Sequence, residues 1–404
     1  MTSAALRDDH SVVRYHEYLS AVEAALATAC ERASARVAVE TALGLVLTAD
    51  ARARVDIPVF RNSQMDGYAV DSETVSTTPI ELPIAGVLPA GWSGAPCHTA
   101  GAAERIMTGA MLPDGADTVI PVEETEPAAE PGRVIIRVAR PAGAFVREAG
   151  CDVMAGDVMV SNGTRLEPRH LAALACAGVH TVQVRPRLTV AIITTGAELA
   201  APEGELSPGQ IFDGNSVGLR ACVERDGAVL ALVERCSDNP RELRGTLERA
   251  AAAADLVLTS GGISAGDFEV VREVLGSSGR FGLVAMQPGG PQGLASIDGT
   301  PVLCFPGNPV STLVSYEVFA SAAIRQDAGL PPRVRETRRL THALTSIAGK
   351  RQFFRGDCTP DGVRVTSGPG SHLISAMAQS DSLVVVNEDT SALSEGDEVQ
   401  TWIL

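Results

Sequence analysis

Lysine is almost absent from this chain. The 404 residues include 33 lysines and arginines, and Lys350 is the one lysine, so the other 32 basic residues (33 − 1) are arginines. With 49 acidic residues, the formal net charge is −16. A chain this acidic repels nucleic-acid phosphates, which argues against a general nucleic-acid-binding protein. A catalytic lysine is nearly excluded, because Lys350 is the single candidate.

Paired cysteines and long apolar segments are also missing. The eight cysteines include no C-x-x-C pair, which argues against a zinc finger, an iron–sulfur site or a thioredoxin-like motif. Their wide spacing is typical of reduced thiols in a cytosolic protein. The polar N-terminus does not resemble a signal peptide, and no apolar run is long enough for a membrane span. We therefore expect a cytoplasmic protein without a membrane segment.

A chain of 404 residues exceeds what one hydrophobic core usually serves, so we expect several domains. In the N-terminal half, apolar spacing predicts a helix over residues 13–32 and a second helix over 39–47. Frequent prolines and glycines between short β-rich runs then predict a small β insertion over residues 56–140. A helix over residues 167–177 and a strand over 179–184 follow.

From residue 187 onward, solid apolar runs alternate with amphipathic helices. This alternation predicts a mainly parallel sheet that is covered on both faces. The predicted strands are residues 188–194, 229–233, 256–259, 281–286 and 302–305. The predicted helices are residues 215–225, 240–253, 269–275 and 309–326. Ligands of such sheets bind beyond the carboxyl ends of the strands, where this sequence has glycine-rich turns. Residues 333–404 are predicted to form a small β domain.

One of these turns has the features of an anion-binding site. Residues 260–267 read Ser-Gly-Gly-Ile-Ser-Ala-Gly-Asp between a strand and a helix, so backbone N–H groups could converge on a phosphate. Asp267 and Glu269 could cap the helix or hold Mg²⁺ there. Because capping alone does not require all these glycines, serines and carboxylates, we favour a binding function. The segment matches neither Walker A nor G-x-G-x-x-G, which disfavours an ATPase or NAD site.

Two other turns allow a structural or a functional interpretation. At residues 193–199 a strand ends near Glu198, which could bind a metal ion, although this turn taken alone favours a plain turn with a solvated Glu198. At residues 304–311, Asn308 is expected to cap a helix that begins at Pro309, and the helix dipole favours an anion there, but an ordinary strand–helix junction explains the pattern equally well. Three further segments, residues 62–69, 105–117 and 147–152, cannot be distinguished from simple loops on composition alone.

Six segments, taken together and in this order, closely resemble the signatures of the MoeA and gephyrin E-domain family. They are Met-Asp-Gly-Tyr-Ala at 65–69, Arg-Ile-Met-Thr-Gly at 105–109, Gly-Cys-Asp at 150–152, Thr-Gly-Ala-Glu-Leu at 195–199, the turn at 260–267 and Pro-Gly-Asn-Pro-Val-Ser at 306–311. Members of this family are molybdopterin molybdenumtransferases. The resemblance implies an enzyme that inserts molybdate into adenylylated molybdopterin, with Mg²⁺, and releases AMP.

The resemblance also implies a multidomain α/β plus β fold. Its expected parts are a discontinuous α+β domain (1–50 and 145–184), a β-rich insertion domain (51–144), an α/β molybdopterin-binding domain with a mainly parallel sheet (185–331) and a small C-terminal β-barrel (332–404). Family members are homodimers with the active cleft at the subunit interface. A molybdopterin adenylyltransferase and apo-molybdoenzymes are the expected partners, and neither nucleic acid nor a membrane is expected.

Residue roles follow from the same resemblance. The expected catalytic residues are Asp66, Thr108, Asp152, Glu198 and Asp267, with the first two supplied by the partner subunit. The expected metal ligands are Glu198, Asp267 and Glu269. The expected phosphate or pterin contacts are Thr195, Gly196, Ser260, Gly261, Gly262, Ser264, Pro288, Gly307, Asn308, Ser311 and Arg355.

Two positions depart from the family pattern. The turn at residues 287–291 reads Gln-Pro-Gly-Gly-Pro where many members carry two lysines that help to hold the anion. Arg351 or Arg355, with Ser371 or Ser375, could compensate for the lost charge. Glu269 stands where relatives more often have aspartate.

Two alternative functions remain open at this point. A molybdopterin adenylyltransferase shares the α/β domain but usually lacks the additional domains predicted here. A non-catalytic molybdopterin-binding scaffold, as in the gephyrin E domain, would be consistent with the missing turn lysines. The acidic groups Glu198 and Asp267 argue against a pure scaffold, which has no need of them.

Overall fold

The computed structural model describes residues 12–92, 94, 96–200, 205–263 and 269–404. The chain forms two compact units. One unit combines Met1–Ala35 with Arg185–Leu404, and the other comprises Arg36–Val184. Within the described ranges, no helix is long and apolar enough to cross a membrane.

The first helix, α1, spans Tyr15–Cys30 in the first unit. Its apolar side chains recur every three or four residues, so they share one face, and that face is buried in the core. Burial of a side chain such as Val22 or Leu26 contributes about 1.5–3 kcal/mol. The helix predicted over residues 13–32 is therefore confirmed.

The second predicted helix, over residues 39–47, is wrong. The chain forms a short 3₁₀ turn at Val39–Thr41 and then a strand at Val46–Leu47. Gly44 lies between them with φ at +74°. A residue in this left-handed conformation ends a helix, so the apolar residues after it join a sheet instead.

The second unit is mostly β structure. Between residues 35 and 185 the chain forms β1 (Ala35–Ala38), β2 (Val46–Leu47), β3 (Ala51–Arg52), β4 (Asn62–Ser63), β5 (Gly67–Val70), β6 (Ile80–Leu88), β7 (Ala103–Ile106), β8 (Thr118–Pro121), β9 (Thr125–Pro127), β10 (Arg133–Ile136), β11 (Val146–Arg147), β12 (Val158–Val160), α2 (Pro168–Cys176) and β13 (Thr181–Arg185). Six strands form a sheet in the order β8-β5-β7-β6-β10-β9, and β6 and β7 are its parallel pair. The β-rich character predicted for residues 56–140 is confirmed.

The first unit contains the remaining elements. Its strands are β14 (Thr189–Thr195), β15 (Leu199–Ala200), β16 (Ile211–Phe212), β17 (Val229–Cys236), β18 (Leu256–Ser260), β19 (Gly279–Leu283), β20 (Met286–Gln287), β21 (Pro291–Ile297), β22 (Thr300–Phe305), β23 (Arg335–Arg339), β24 (Leu344–Thr345), β25 (Arg351–Thr359), β26 (Gly362–Val365), β27 (Ser382–Val386), β28 (Ala392–Leu393) and β29 (Glu398–Ile403). Its helices after α1 are α3 (Gly214–Arg225), α4 (Pro240–Ala253), α5 (Val270–Leu275), α6 (Pro309–Ser315), α7 (Ser321–Asp327) and α8 (Ile374–Gln379). A π-helical segment, Tyr316–Ala320, joins α6 to α7.

The α/β part of this unit is built on a six-stranded sheet in the order β17-β14-β18-β22-β21-β19. The first four strands are parallel, and β21 and β19 are antiparallel to their neighbours, so the sheet is mixed. The sequence prediction missed β21, because Pro291 and Gly293 made its start look like a loop. The dipeptide Asp298-Gly299 was a usable signal in the sequence, because Asp-Gly favours the tight turn of a β-hairpin. In the structure both residues have positive φ, and they join β21 to β22.

The central strands are buried on both faces, which explains why they appear as solid apolar runs. Val190 and Ile192 of β14 lie in one hydrophobic cluster with α1, whereas Ala191 and Ile193 lie in a second cluster with α4 and α5. Helices therefore cover both faces of the sheet, as predicted.

The C-terminal region is β structure, as expected for residues 333–404. Its main sheet has the order β20-β25-β27-β29-β23, and β26 pairs with β25. The first strand of this sheet, β20, is contributed by the chain just before the turn at residues 287–291. Its parallel pairing with β25 places Met286 opposite Arg351 and Gln287 opposite Gln352.

Candidate functional site

Three parallel strands end side by side at one edge of the α/β sheet. Thr194 of β14 lies beside Ser260 of β18, and Ser260 lies beside Phe305 of β22. The turns that follow these strands line a cleft of about 800 Å³. This volume is within the range of small-molecule binding sites. The cleft occupies the position that ligands prefer in such sheets, beyond the carboxyl ends of the strands.

Most of the predicted ligand contacts line this cleft. They are Thr195, Gly196, Glu198, Ser260, Gly261, Gly262, Glu269, Pro288, Gly307, Asn308 and Ser311. Ser264 and Asp267 lie outside the described residues. The fold thus brings together turns from four separate segments of the chain.

The buried hydroxyl of Ser260 connects the end of β18 with α3 and with the segment at residues 306–312. It accepts a hydrogen bond from Asn215 Nδ2 at 2.9 Å, and it lies 3.3 Å from Pro306 O and 3.1 Å from Thr312 Oγ1. Asn215 Nδ2 also donates to Gly307 O at 2.7 Å. Although Ser260 was predicted to contact a ligand directly, its hydroxyl is used to fix the floor of the cleft.

Gly261 and Gly262 are required by their backbone conformation and by close packing. Their φ angles are +98° and +66°, which favour glycine. A Cβ atom on Gly261 would lie 2.6 Å from Thr195 O, and one on Gly262 would lie 3.0 Å from Val271 Cγ2. The Gly261 N–H donates to Phe305 O at 3.1 Å, so this group is not available to an anion. The predicted nest of N–H groups is therefore only partly open to a ligand.

Asn308 precedes α6 and connects two walls of the cleft. Its side chain makes no cap hydrogen bond to the helix, contrary to the expected role as a side-chain cap. Instead, Asn308 Nδ2 donates to Ser371 Oγ at 3.0 Å. No side chain caps the first turn of α6, and an uncapped helix N-terminus leaves the backbone N–H groups after Pro309 without an intrahelical partner.

Two carboxylates that the sequence analysis did not select also line the cleft. Asp213 accepts hydrogen bonds from Thr194 Oγ1 at 2.7 Å and from the Ser216 N–H at 3.0 Å, and it is the N-cap of α3. Asp238 accepts from the Ala197 N–H at 2.9 Å. The position of Asp213 before a helix start was a usable signal, because aspartate is a preferred N-cap residue.

Glu198 and Glu269 are the described carboxylates that the sequence assigned to a metal ion. Both line the cleft, and Glu198 is exposed there. Within the described part of the chain, no group of three or more His, Cys, Asp or Glu side chains could hold a metal ion. Mg²⁺ usually binds through one or two carboxylates together with substrate phosphates and waters, rather than in a closed protein cage. Glu198 and Glu269 line the same cleft, so the chemistry of the described lining is compatible with an ion bound in that open manner.

Arg355 does not line the cleft, contrary to its expected role as a ligand contact. Its side chain is fully buried, and its guanidinium donates to the backbone carbonyls of Gly368 and Gly370. Burial lowers the pKa of the guanidinium. Arg355 therefore supports the loop that contributes Gly370, Ser371 and His372 to the cleft wall.

Asp66, Thr108 and Asp152 lie in the second unit. The backbone N–H and the hydroxyl of Thr108 donate to Asp66 Oδ1 at 2.7 and 2.8 Å. These hydrogen bonds hold the pKa of Asp66 below its usual value, and the bond from the backbone N–H has the larger effect. The exposed carboxylate is therefore kept ionised. Asp152 is an exposed loop residue next to the bridge between Ile57 and Val153.

Comparison with protein families gives three matches that together cover most of the chain. Residues 13–178 match the MoeA N-terminal region (domain I and II), residues 191–326 match the "Probable molybdopterin binding domain", and residues 337–404 match the MoeA C-terminal region (domain IV).

Several characterised proteins are similar over most of their length. Molybdopterin molybdenumtransferase 2 of Mycobacterium tuberculosis is 41% identical over 379 residues, which are 90% of this chain and 93% of the relative. Molybdopterin molybdenumtransferase of Nostoc sp. is 37% identical over 297 residues, or 71% of this chain and 68% of the relative. The crystal structure of the molybdopterin biosynthesis MoeA protein from Pyrococcus horikoshii has a TM-score of 0.79 and 29% identity, and it covers 97% of this chain and 99% of its own. The chain belongs to the MoeA family.

Proposed function

We propose that this protein is a molybdopterin molybdenumtransferase, which inserts molybdate into adenylylated molybdopterin and releases AMP during molybdenum cofactor biosynthesis. The observation that carries the proposal is the cleft at the carboxyl ends of β14, β18 and β22. It is lined by segments of a chain that aligns with a molybdopterin molybdenumtransferase over 90% of its length.

The chemistry of the cleft supports anionic substrates. The N-terminus of α6 and the residues next to it, Gly307, Asn308 and Ser311, supply backbone and side-chain donors at one end. Helix dipoles favour negative charge at this position. Gly261 and Gly262 let the turn after β18 approach Thr195 closely, so the two turns together form this part of the cleft.

Glu198 and Glu269 would hold Mg²⁺, and the nearby Asp267 would join them by resemblance to the family. The ion would offset the negative charge of the pyrophosphate group. The residues of the chain bind and orient the two substrates, and no side chain is needed as a covalent nucleophile. Asp213 and Asp238 hold the end of β14 in place, because Asp213 accepts a hydrogen bond from the Thr194 hydroxyl and Asp238 accepts one from the Ala197 N–H.

Further features of the proposal come from the family resemblance. We propose a cytoplasmic homodimer in which Asp66 and Thr108 of one subunit reach the cleft of the other, with Asp152 as a supporting acid. Four domains, the last a β-barrel, are part of the same proposal. A molybdopterin adenylyltransferase and apo-molybdoenzymes are the proposed partners.

The test is a reaction of the purified protein with adenylylated molybdopterin, molybdate and Mg²⁺. AMP is measured by chromatography, and the cofactor is measured by activation of an apo-molybdoenzyme. We expect both products, and we expect the Asp267→Ala variant to remain folded but inactive. Absence of AMP from the wild-type reaction would refute the proposal. Formation of adenylylated molybdopterin from molybdopterin and ATP would instead indicate an adenylyltransferase, and binding without turnover would indicate a scaffold.

A further inference from the structure

The second unit has a pocket of its own, with a volume of about 340 Å³. Every residue that lines it belongs to that unit, and none of them lines the cleft. Its ionisable lining residues are Arg36, Asp50, Arg52, Arg54 and His180. Three guanidinium groups therefore accompany one carboxylate, in a chain whose net charge is −16.

One side of this pocket is the exposed face of the sheet β1-β13-β2. Burial alternates along β13, so Thr181 and Gln183 lie on its exposed face. The Val39 N–H donates to His180 O at 3.0 Å, which joins the start of β13 to the end of β1. Arg36 occupies an exposed position of β1. Sheet pairing therefore sets where Arg36 lies in the pocket.

The segment after β2 supplies the other two arginines. The Arg54 N–H donates to Ala177 O at 2.9 Å, so the backbone of Arg54 is fixed to the end of α2. Arg52 Nη1 donates to Gly156 O at 3.0 Å, and Arg52 Nη2 lies 3.4 Å from Asp50 Oδ2. Both arginines are therefore anchored to other segments of the unit, one through its backbone and one through its side chain.

The charges of Arg36 and Arg54 are not neutralised by the described part of the chain. Neither guanidinium forms an ion pair or a hydrogen bond with a described residue, and both side chains are exposed. Other arginines of the unit do have such partners, as Arg133 does in its ion pair with Glu81. Like charges that line one pocket repel each other, and a bound anion removes that cost. Guanidinium groups suit phosphate in particular, because they offer paired N–H donors.

We propose that this pocket is a second anion-binding site, for a small molecule that carries a phosphate group. Arg36 and Arg54 supply free donors, and the anchored Arg52 supplies a third guanidinium. His180 adds a ring nitrogen. A volume of about 340 Å³ is at the lower end of the range for small-molecule pockets, which favours such a ligand over a protein segment. The inference does not depend on the proposed function, because the pocket and the cleft have no lining residue in common.

Two histidines allow the pocket and the cleft to be observed separately. His180 lines the pocket and His372 lines the cleft, so ring-¹³C labelling of histidine gives an NMR signal from each. The His180→Gln and His372→Gln variants assign these signals. Sodium phosphate is titrated into the protein at constant ionic strength, with chloride as the comparison anion. We expect phosphate, and not chloride, to shift the His180 signal until it saturates.

A pair of double variants tests the arginines. Arg36→Gln with Arg54→Gln removes the two unpaired charges of the pocket. Arg137→Gln with Arg169→Gln is the matched control, because it removes the same charge from exposed positions of the same unit outside the pocket. Hydrogen bonds between charged groups are strong, so the first variant should raise the Kd for phosphate about tenfold or more. The control should leave the Kd close to its wild-type value.

The inference is overturned if the His180 signal does not respond to phosphate. It is also overturned if the two double variants weaken binding equally, since this would indicate general charge attraction, or if poly-glutamate shifts the signal and phosphate does not, since this would indicate a surface for an acidic protein segment. Separate titrations with inorganic phosphate and AMP distinguish a free phosphate from a nucleotide, and saturable binding of either supports the site. A saturable His180 shift in a protein that releases no AMP would refute the proposed function alone.

Discussion

Replacement of Gly261 by alanine tests how the floor of the cleft is built. A Cβ atom there would lie 2.6 Å from Thr195 O and 2.9 Å from Thr195 Oγ1, and the φ of +98° is unfavourable for any L-residue. A left-handed conformation costs an alanine about 1–2 kcal/mol. Overpacking against a backbone that cannot move freely adds about 1–3 kcal/mol. We therefore expect Gly261→Ala to lower the free energy of unfolding of the first unit by about 2–5 kcal/mol.

Gly299→Ala is the matched control. Gly299 has a similar φ of +91°, but a Cβ atom there would meet nothing within 4 Å. An alanine at this position has the cost of the left-handed conformation but makes no steric clash. Gly299→Ala should therefore lower the free energy of unfolding by about 1–2 kcal/mol. The difference between the two variants measures the contact between the turn after β18 and Thr195.

Urea unfolding followed by the fluorescence of Trp402 measures both variants. A Trp92→Phe background removes the second tryptophan, so the signal reports the first unit, which contains Trp402. The reasoning is refuted if Gly261→Ala destabilises the protein no more than Gly299→Ala does. In the Gly261→Ala variant the displaced Thr195 should also weaken ligand binding, whereas Gly299→Ala should bind as the wild type does.

Four further substitutions give distinct outcomes. Ser260→Ala should lower the free energy of unfolding by about 1–3 kcal/mol, since it leaves buried partners unpaired; an unchanged urea midpoint would contradict this. Arg355→Met should lower the free energy of unfolding by about 1–3 kcal/mol, since the carbonyls of Gly368 and Gly370 lose their donor, and KM should rise as the supported loop loosens; unchanged stability and KM would contradict this. Thr108→Val should raise the lowered pKa of Asp66 part of the way to its usual value, as measured by ¹³C NMR. A lowered carboxyl pKa stabilises the folded state at pH values above the unfolded-state pKa, and this contribution is lost as the carboxylate becomes protonated. The difference in unfolding free energy between Thr108→Val and wild type should therefore vanish as pH falls from about 4 through the pKa of Asp66. A difference that persists at lower pH would count against the hydrogen bond as its cause. Glu198→Gln should raise the Mg²⁺ concentration needed for half-maximal AMP release, and an unchanged Mg²⁺ dependence would exclude Glu198 as a ligand.

Local patterns predicted the regular elements well. Strands β14, β18 and β22 and helices α3 and α4 lie within a few residues of their predicted positions, because solid apolar runs and capped amphipathic segments are properties of neighbouring residues. The prediction failed at residues 39–47, where one left-handed glycine overrode the apolar pattern. It also failed at β21, which is a strand through its pairing with β22 and not through its own composition.

The sequence predicted where the candidate site lies, but it did not predict which contacts each of its residues makes. The glycine turns after the strands were correctly expected to meet, since parallel strands bring their carboxyl ends to one edge. Which groups face the ligand depends on hydrogen bonds between distant segments. The Ser260 hydroxyl forms hydrogen bonds with Asn215 and Thr312. The Arg355 guanidinium is buried and donates to the carbonyl of Gly368 in a loop.

The sequence alone shows that lysine is scarce. It also shows that a chain with a net charge of −16 needs local donors or cations to hold an anion. Composition is a property of the chain alone, so it could be read before any fold was known. The location of Lys350 could not, because residue 350 reaches the turn at 287–290 through the pairing of β20 with β25, which are some sixty residues apart in sequence. Such long-range pairing depends on the packed sheet as a whole and leaves no local mark at either strand. The tertiary structure therefore decided that the one lysine lies where the proposed substrates bind.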